Sequence, residues 1–98
     1  MEEIKLEINP HGDGAFYLFI ENTIVAKMLV GISDNMLNAY HTEAMIEGKG
    51  YAKKIFEAMI THGRKHHLKV IPYCPYVIAQ FKRHPEQYAD IWNNKSAL

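Results

Sequence analysis

The sequence predicts an α+β fold with a mixed sheet, in which helices pack on strands that are mostly antiparallel. Two observations support this prediction. Up to Glu43 the pattern has strand character, because alternating runs and runs of aromatic and branched residues are separated by polar turns. From Gly50 onward, apolar residues recur at spacings of three and four, as in an amphipathic helix, and a further short apolar run follows.

Three runs of strand character precede residue 31. Residues 4–8 alternate between apolar and polar, and the turn-forming segment 10–14 ends that run. Residues 15–20 and 24–30 are rich in aromatic and branched side chains, and the polar residues 21–23 between them predict a hairpin. The N-terminal strands are therefore expected to be antiparallel.

A fourth strand is predicted from Met36 to Glu43. A period of two places four of its residues on one face, namely Leu37, Ala39, His41 and Glu43. The helical stretch from Gly50 then leads to a short fifth strand at residues 68–72, which completes a βαβ unit. Because such crossovers are right-handed, the fourth and fifth strands should be parallel and close together.

A second helix is predicted to begin near Pro75, since a proline ring suits the first helical turn. His84-Pro85 should end this helix, because the residue before a proline avoids helical geometry. We expect another short helix at residues 86–92 and a frayed tail at residues 93–98.

Composition limits the classes of function. The 98 residues predict one domain, 1–98. A single cysteine and the lack of a signal peptide or long apolar stretch predict a cytoplasmic protein outside the membrane. Eleven basic and eleven acidic residues leave no net charge, which argues against nucleic acid as a partner. Neutrality opposes self-association only weakly, so a monomer and a weak homodimer both fit.

The strongest local signal is Gly48-Lys49-Gly50-Tyr51-Ala52, between the fourth strand and the first helix. Its glycines permit unusual dihedral angles, and the helix start offers free amides and a positive dipole end to an anion. The segment therefore predicts a pyrophosphate cradle, although a glycine loop that only turns the chain is the alternative. It lacks the Lys-Ser/Thr ending of a P-loop, and its place after the fourth strand disfavours a dinucleotide-binding fingerprint.

This loop resembles the pyrophosphate motif of the GNAT superfamily of N-acetyltransferases. That motif has Gln or Arg, two variable residues, Gly, one variable residue, and Gly or Ala. Gly50 and Ala52 match the last two fixed positions, whereas Glu47 occupies the first. An acidic side chain there opposes a pyrophosphate unless it points away.

The chain is also similar to a group of equally short GNAT-like proteins. The similarity is carried by Tyr40-His41-Thr42-Glu43, Cys74-Pro75-Tyr76-Val77 and Lys82-Arg83-His84-Pro85-Glu86. It implies an acetyltransferase that holds acetyl-coenzyme A between splayed fourth and fifth strands, with the acetyl group near their ends. A ligand at the carboxyl ends of strands also follows the general rule for α/β sheets.

Three residues are candidates for catalysis. Cys74 should lie where the fifth strand ends in the crevice, and as a thiolate beside a helix N-terminus it could accept the acetyl group. A lone cysteine is otherwise a small buried residue. The resemblance implies a general base on or near strand four, where Glu43 and His41 share a face. Either could deprotonate the acceptor, because only a neutral amine attacks a thioester, or could simply be solvated or hydrogen-bonded.

The candidates for coenzyme binding combine the loop with basic residues: Glu47, Gly48, Lys49, Gly50, Tyr51, Ala52, Lys53, Lys82, Arg83 and His84. The basic side chains could instead be solvated. His62 and His66 have the spacing of a helical metal pair, but without a neighbouring third ligand we interpret them as solvated residues and predict no metal. Tyr40, Tyr73 and Tyr76 suit either an acceptor pocket or an aromatic core.

Two functions remain open at this point. The first is transfer of an acetyl group from acetyl-coenzyme A to an amine of unknown identity. The second is a non-catalytic module that binds coenzyme A or an acyl group, which Glu47 favours. A small amine, a polyamine, a protein lysine and an N-terminus all fit as the acceptor, and no residue decides among them.

Overall fold

The computed structural model describes residues 2–93. Its elements in chain order are β1 (Glu2–Ile8), β2 (Asp13–Ile20), β3 (Thr23–Ser33), β4 (Met36–Ala44), α1 (Tyr51–Lys65), β5 (Lys69–Pro72) and α2 (Pro75–Arg83). The strands form one sheet in the order β1 to β5, antiparallel as far as β4, with β5 parallel to β4. The predicted α+β architecture is confirmed. No helix in residues 2–93 is long and apolar enough to cross a membrane.

Both helices pack on the same side of the sheet, here called the helix face. Phe56 of α1 meets Phe81 of α2 edge to face, with ring centroids 5.9 Å apart. Both rings belong to a core that also contains Leu18, Met28 and Leu37 from the sheet. Burying one side chain of this size stabilises the fold by about 1.5–3 kcal/mol, so this contact layer fixes the helices on the sheet.

The opposite side of the sheet, here called the outer face, carries neither helix. Its side chains alternate along the strands with those of the core, and they include Tyr17, Phe19, Lys27 and Leu29. Lys5 lies over the Phe19 ring, 5.4 Å from its centroid. The sheet therefore has one packed face and one face open to solvent, as antiparallel sheets commonly do.

A one-residue bulge in β4 corrects the predicted strand face. Leu29 pairs with His41 and the next residue of β3, Val30, pairs with Ala39, so Tyr40 is an extra residue in β4. Because successive side chains alternate, an extra residue moves everything after it to the other face. Ala39 is buried on the helix face, whereas His41 and Glu43 lie on the outer face. The prediction that all of them share one face with Leu37 was wrong.

The boundaries of the helices follow the sequence signals. Residues 55, 56, 59, 60 and 63 of α1 are buried, which confirms the spacing of three and four. In α2, Pro75 occupies the first turn and the helix ends at Arg83. His84 has left the helical region, with φ −132° and ψ 59°, as expected before a proline.

The segment after α2 departs from prediction, because residues 86–92 form turns and a short bridge rather than a helix. The amide of Val70 donates to the carbonyl of Ile91 at 2.8 Å, and the amide of Asn93 donates to the carbonyl of Val70 at 2.9 Å. These bonds satisfy backbone groups on the free edge of β5, which a helix at this position could not do. Asn93 is thus tied to the sheet, and residues 94–98 of the predicted tail lie outside the described residues.

Candidate functional site

A gap opens between β4 and β5 where their pairing stops, and we call it the split. The two strands pair only as far as Ala39 and Pro72. The carbonyl of Ala39 accepts hydrogen bonds from the amides of Tyr73 and Cys74, at 2.9 and 3.0 Å, and these bonds close the root of the split. Beyond this point β4 continues to Ala44, whereas the segment after β5 turns away into α2. The split therefore lies at the carboxyl ends of two parallel strands.

The loop between β4 and α1 has the backbone of an anion cradle. Gly48 and Gly50 have φ values of +83° and +73°, a region that residues with a side chain rarely adopt. Gly50 caps α1, and within residues 2–93 no side chain caps the start of this helix with a hydrogen bond. These amides and the positive end of the helix dipole are consequently available to an anionic ligand.

A shallow pocket of ≈ 270 Å³ joins this loop to the split. Its lining residues are Ala44, Ile46, Glu47, Gly48, Gly50, Tyr51, Ala52, Lys53 and Tyr76. The structure thus brings together most of the loop residues predicted to bind the coenzyme, although Lys49 is not part of the lining. Tyr76 adds the first turn of α2 to this wall, and burial raises the pKa of its hydroxyl.

Cys74 follows β5 as predicted, but its thiol is enclosed. The side chain is 2% exposed, and Sγ donates a hydrogen bond to Oγ1 of Thr42 at 3.2 Å. This bond spans the split on the helix face. The expected access of Cys74 to a thioester is therefore absent in this conformation. Sequence reasoning missed Thr42 as a site residue, because only the bulge at Tyr40 turns it toward the helix face.

The two candidate bases lie on the outer face, on the other side of the sheet from Cys74. Glu43 pairs directly with Lys27 across β3 and β4, with 3.6 Å between carboxylate and ammonium. His41 is exposed opposite Leu29 and has no ion-pair partner among residues 2–93. The structure therefore separates the predicted catalytic residues into one enclosed thiol and two exposed side chains.

These features agree with a known family. Residues 15–91 match the family model described as GCN5-related N-acetyl-transferase. The chain belongs to this family. No curated protein matches the sequence.

Two solved acetyltransferase structures share the fold. A GCN5-like protein from Staphylococcus aureus, solved by NMR, is 25% identical with a TM-score of 0.64, and the match covers 94% of this chain and 90% of that one. The crystal structure of ribosomal-protein-alanine N-acetyltransferase from Brucella melitensis biovar Abortus 2308 is 15% identical with a TM-score of 0.59. That match covers 78% of this chain and 60% of the other, so this chain spans less than two thirds of that relative.

The basic residues predicted to reach the coenzyme are spread over the acetyltransferase fold. Arg83 and His84 line a separate depression beyond α2, and Lys82 is exposed beside them. Lys54, next to the loop, turns instead to the carboxylate of Glu2 on β1, at 2.8 and 3.0 Å. Lys53 is therefore the only one of these cations in the lining of the loop pocket.

The histidine pair sits at the far end of α1. The rings of His62 and His66 lie 4.3 Å apart, and His62 meets Phe16 edge to face at 5.6 Å. Burial lowers the pKa of His62, and the positive charge on His66 and Lys65 lowers it further. Within residues 2–93, no three His, Cys, Asp or Glu side chains are grouped so that they could hold a metal ion.

Proposed function

We propose that this chain is an acetyl-coenzyme A-dependent N-acetyltransferase. The loop at residues 47–52 would hold the pyrophosphate, and the split would hold the thioester end. The observation that carries the proposal is that the split and the start of α1, whose Gly50 cap has no side chain, open at the same end of the sheet and are joined by one pocket. Membership of the acetyltransferase family supports the reaction class.

The lining of the pocket suits the parts of a coenzyme A thioester. Amides of the first turn of α1 and the ammonium of Lys53 offer donors to phosphate oxygens. Ile46, Ala44 and the ring of Tyr76 offer apolar surface to the uncharged arm. The carboxylate of Glu47 opposes the phosphates, and its effect is testable separately.

Direct transfer is the route that the exposed residues favour. His41 would take the proton from the acceptor ammonium, because it is exposed and has no ion pair within the described part of the chain, with Glu43 nearby on the same face. The nitrogen lone pair then forms the C–N bond to the acetyl carbon as the C–S bond breaks. The leaving coenzyme thiolate takes up a proton. Holding both reactants at the split supplies the proximity that such a transfer needs.

The covalent route through Cys74 demands a change of conformation. The thiol would first lose its hydrogen bond to Thr42 and become uncovered. Intact-mass analysis after mixing with acetyl-coenzyme A tests this route. A gain of one acetyl group on wild type that is lost in Cys74→Ser would favour it over direct transfer.

A non-catalytic coenzyme A-binding module is the second candidate, and the acidic Glu47 in the loop pocket favours it. Calorimetry with acetyl-coenzyme A, followed by assay of free thiol with and without an amine, separates the two functions. Binding without amine-dependent thiol release would support the module. A chain that does not bind acetyl-coenzyme A at all would sink both.

Lysine variants of α1 provide a matched control for coenzyme binding. Lys53→Ala should weaken acetyl-coenzyme A binding by about fivefold, since one phosphate-facing charge at a wet site contributes about 1 kcal/mol. Lys65→Ala removes the same charge from the other end of the helix and should leave binding unchanged. Equal effects of both variants would contradict the placement of the pyrophosphate. We further propose a cytoplasmic location, where a lone thiol stays reduced.

A further inference from the structure

Two exposed tyrosines stand on the outer face where β4 and β5 separate. Tyr40 and Tyr73 stack with ring centroids 5.6 Å apart and 26° between the planes. They are 46% and 56% exposed, far more than aromatic side chains that serve a core. Tyr40 is the bulged residue of β4, and Tyr73 is the first residue after β5. The pair therefore marks the outer mouth of the split.

The carboxylate of Asp13 and the ring of Tyr40 both lie beside Gly31. A Cβ added to Gly31 would lie 3.0 Å from both the hydroxyl and the ring edge of Tyr40, and 3.3 Å from Oδ1 of Asp13. Asp13 pairs with Gly31 across β2 and β3, so its side chain points to the same face as the tyrosines. Asp13 is exposed and has no ion-pair partner among residues 2–93. Gly31 thus leaves room for the ring and carboxylate to lie side by side.

The two mouths of the split differ. On the helix face, the Cys74–Thr42 bond and the side chains of the core close it. On the outer face neither α1 nor α2 covers it, and the proposed base His41 lies on that same face. An acceptor that reaches the thioester must therefore approach from the outer face.

We propose that Tyr40, Tyr73 and Asp13 form the acceptor site, and that the acceptor is a lysine side chain of a polypeptide. This inference rests on the proposed function. The tyrosine rings attract a cation held over them, and the carboxylate of Asp13 pairs with the ammonium. Such a site selects a protonated primary amine on an aliphatic stem that can lie along the rings.

The charge of the outer face suits a cationic acceptor, and its apolar surface favours a polypeptide over a free polyamine. Strands β1 to β4 place four carboxylates and two lysines on this face: Glu3, Glu7, Asp13, Glu43, Lys5 and Lys27. Lys69 at the start of β5 adds a third lysine, which donates a hydrogen bond to the carbonyl of Asp90. This acidic excess exists although the whole chain has no net charge, and it complements a basic segment. The same face also exposes apolar surface at Leu29 and Ile24, which an extended polypeptide can cover.

The test uses a capped pentapeptide with one central lysine between glycines, and thiol release as the readout. Asp13→Asn and Tyr73→Leu should each raise the KM for this peptide at least about fivefold, because a charge or ring contact to a cation contributes about 1 kcal/mol. Tyr73→Phe keeps the ring and should stay within about twofold of wild type. Asp34→Asn, the same change in the β3–β4 turn, should leave the KM unchanged.

A second measurement does not depend on turnover. Titrating the peptide into the protein saturated with coenzyme A should shift the backbone NMR signals of Gly31, Tyr40 and Tyr73. The coenzyme affinity of each variant, measured by calorimetry, should match wild type. If the coenzyme binds but the KM and the NMR signals do not respond, the acceptor site is wrong while the proposed function stands. Spermidine acetylated with a lower KM than the peptide would overturn the choice of a polypeptide.

Discussion

The thiol of Cys74 donates its hydrogen bond to the hydroxyl of Thr42 across the split, at 3.2 Å. The two residues are 32 positions apart in sequence and lie on opposite walls of the split. The bond therefore links the two walls of the split on the helix face. It involves the only cysteine in the sequence, whose side chain is 2% exposed.

We expect Cys74→Ser to retain acetyl transfer within about fivefold of wild type. In direct transfer a general base removes the proton, and Cys74 contributes only a buried hydrogen bond of about 1 kcal/mol. Serine keeps the donor to Thr42, so the walls of the split stay linked. Steady-state kinetics with a saturating amine measures the effect. A loss of more than about 100-fold in a folded variant would instead indicate that the thiol carries the acetyl group.

Native Cys74 should also react slowly with a thiol reagent such as Ellman's reagent, since its side chain is 2% exposed. Thr42→Val removes the acceptor of the Cys74 hydrogen bond while it keeps the shape of the side chain. This variant should react faster than wild type, with denatured protein as the upper limit. Equal rates for the two folded proteins would show that the bond does not control access.

Glu47→Gln should tighten acetyl-coenzyme A binding by about fivefold, because it removes a like charge that costs about 1 kcal/mol near a phosphate in water. The gain should shrink as salt is raised, since ions screen the repulsion. Calorimetry at two salt concentrations measures both effects. Glu86→Gln changes an exposed residue beyond α2 and provides the control. Weaker binding by Glu47→Gln would mean that the carboxylate helps to hold the ligand.

Gly50→Ala should lower the free energy of unfolding by about 1–2 kcal/mol, because the left-handed φ of +73° strains any residue with a Cβ. A steric clash is not the cause of this loss, since a Cβ at position 50 would have no atom within 4 Å. Gly50→Asn should cost less than alanine, because asparagine tolerates this backbone region and can cap a helix. Urea unfolding compares the two. A larger loss for asparagine would refute the backbone explanation.

Stability should fall as the pH decreases from about 7 to 5, in part through His62. Burial lowers the pKa of His62 in the folded protein, so the unfolded chain binds the proton more readily. Protonation therefore favours unfolding. The contribution of neutral His62 to the free energy of unfolding is lost as the pH falls from its pKa in the unfolded chain toward its lower pKa in the folded protein. Urea midpoints of wild type and His62→Gln at both pH values test this. The variant should show the smaller change, and an equal change would exclude His62.

The predictability of the fold depended on how local each signal was. The spacing in α1 and the His84-Pro85 stop are properties of neighbouring residues, and both were confirmed. The predicted helix at residues 86–92 failed because the segment bonds instead to Val70 on the edge of β5. Local propensity does not indicate pairing with a strand that lies about 20 residues away in sequence.

The predictability of the candidate site also depended on how local each signal was. The Gly48–Ala52 loop could be recognised because glycines before an amphipathic helix are visible in sequence, and the structure shows the left-handed geometry that such glycines allow. The position of Thr42 could not be predicted, because it depends on the extra residue at Tyr40. Alternation of polar and apolar residues does not show where a bulge interrupts the pairing.

The sequence by itself determined the order of strands and helices, the parallel pairing of β4 with β5 and the place of the glycine loop at the start of α1. Each follows from hydrophobic period, from glycine and proline chemistry, or from the handedness of a βαβ crossover. Only the tertiary structure decided which face of the sheet each candidate residue occupies. Cys74 is enclosed beside Thr42, whereas His41 and Glu43 lie on the outer face. For the residues of β4 the physical reason is a single bulged residue, since one inserted residue reverses every side chain beyond it.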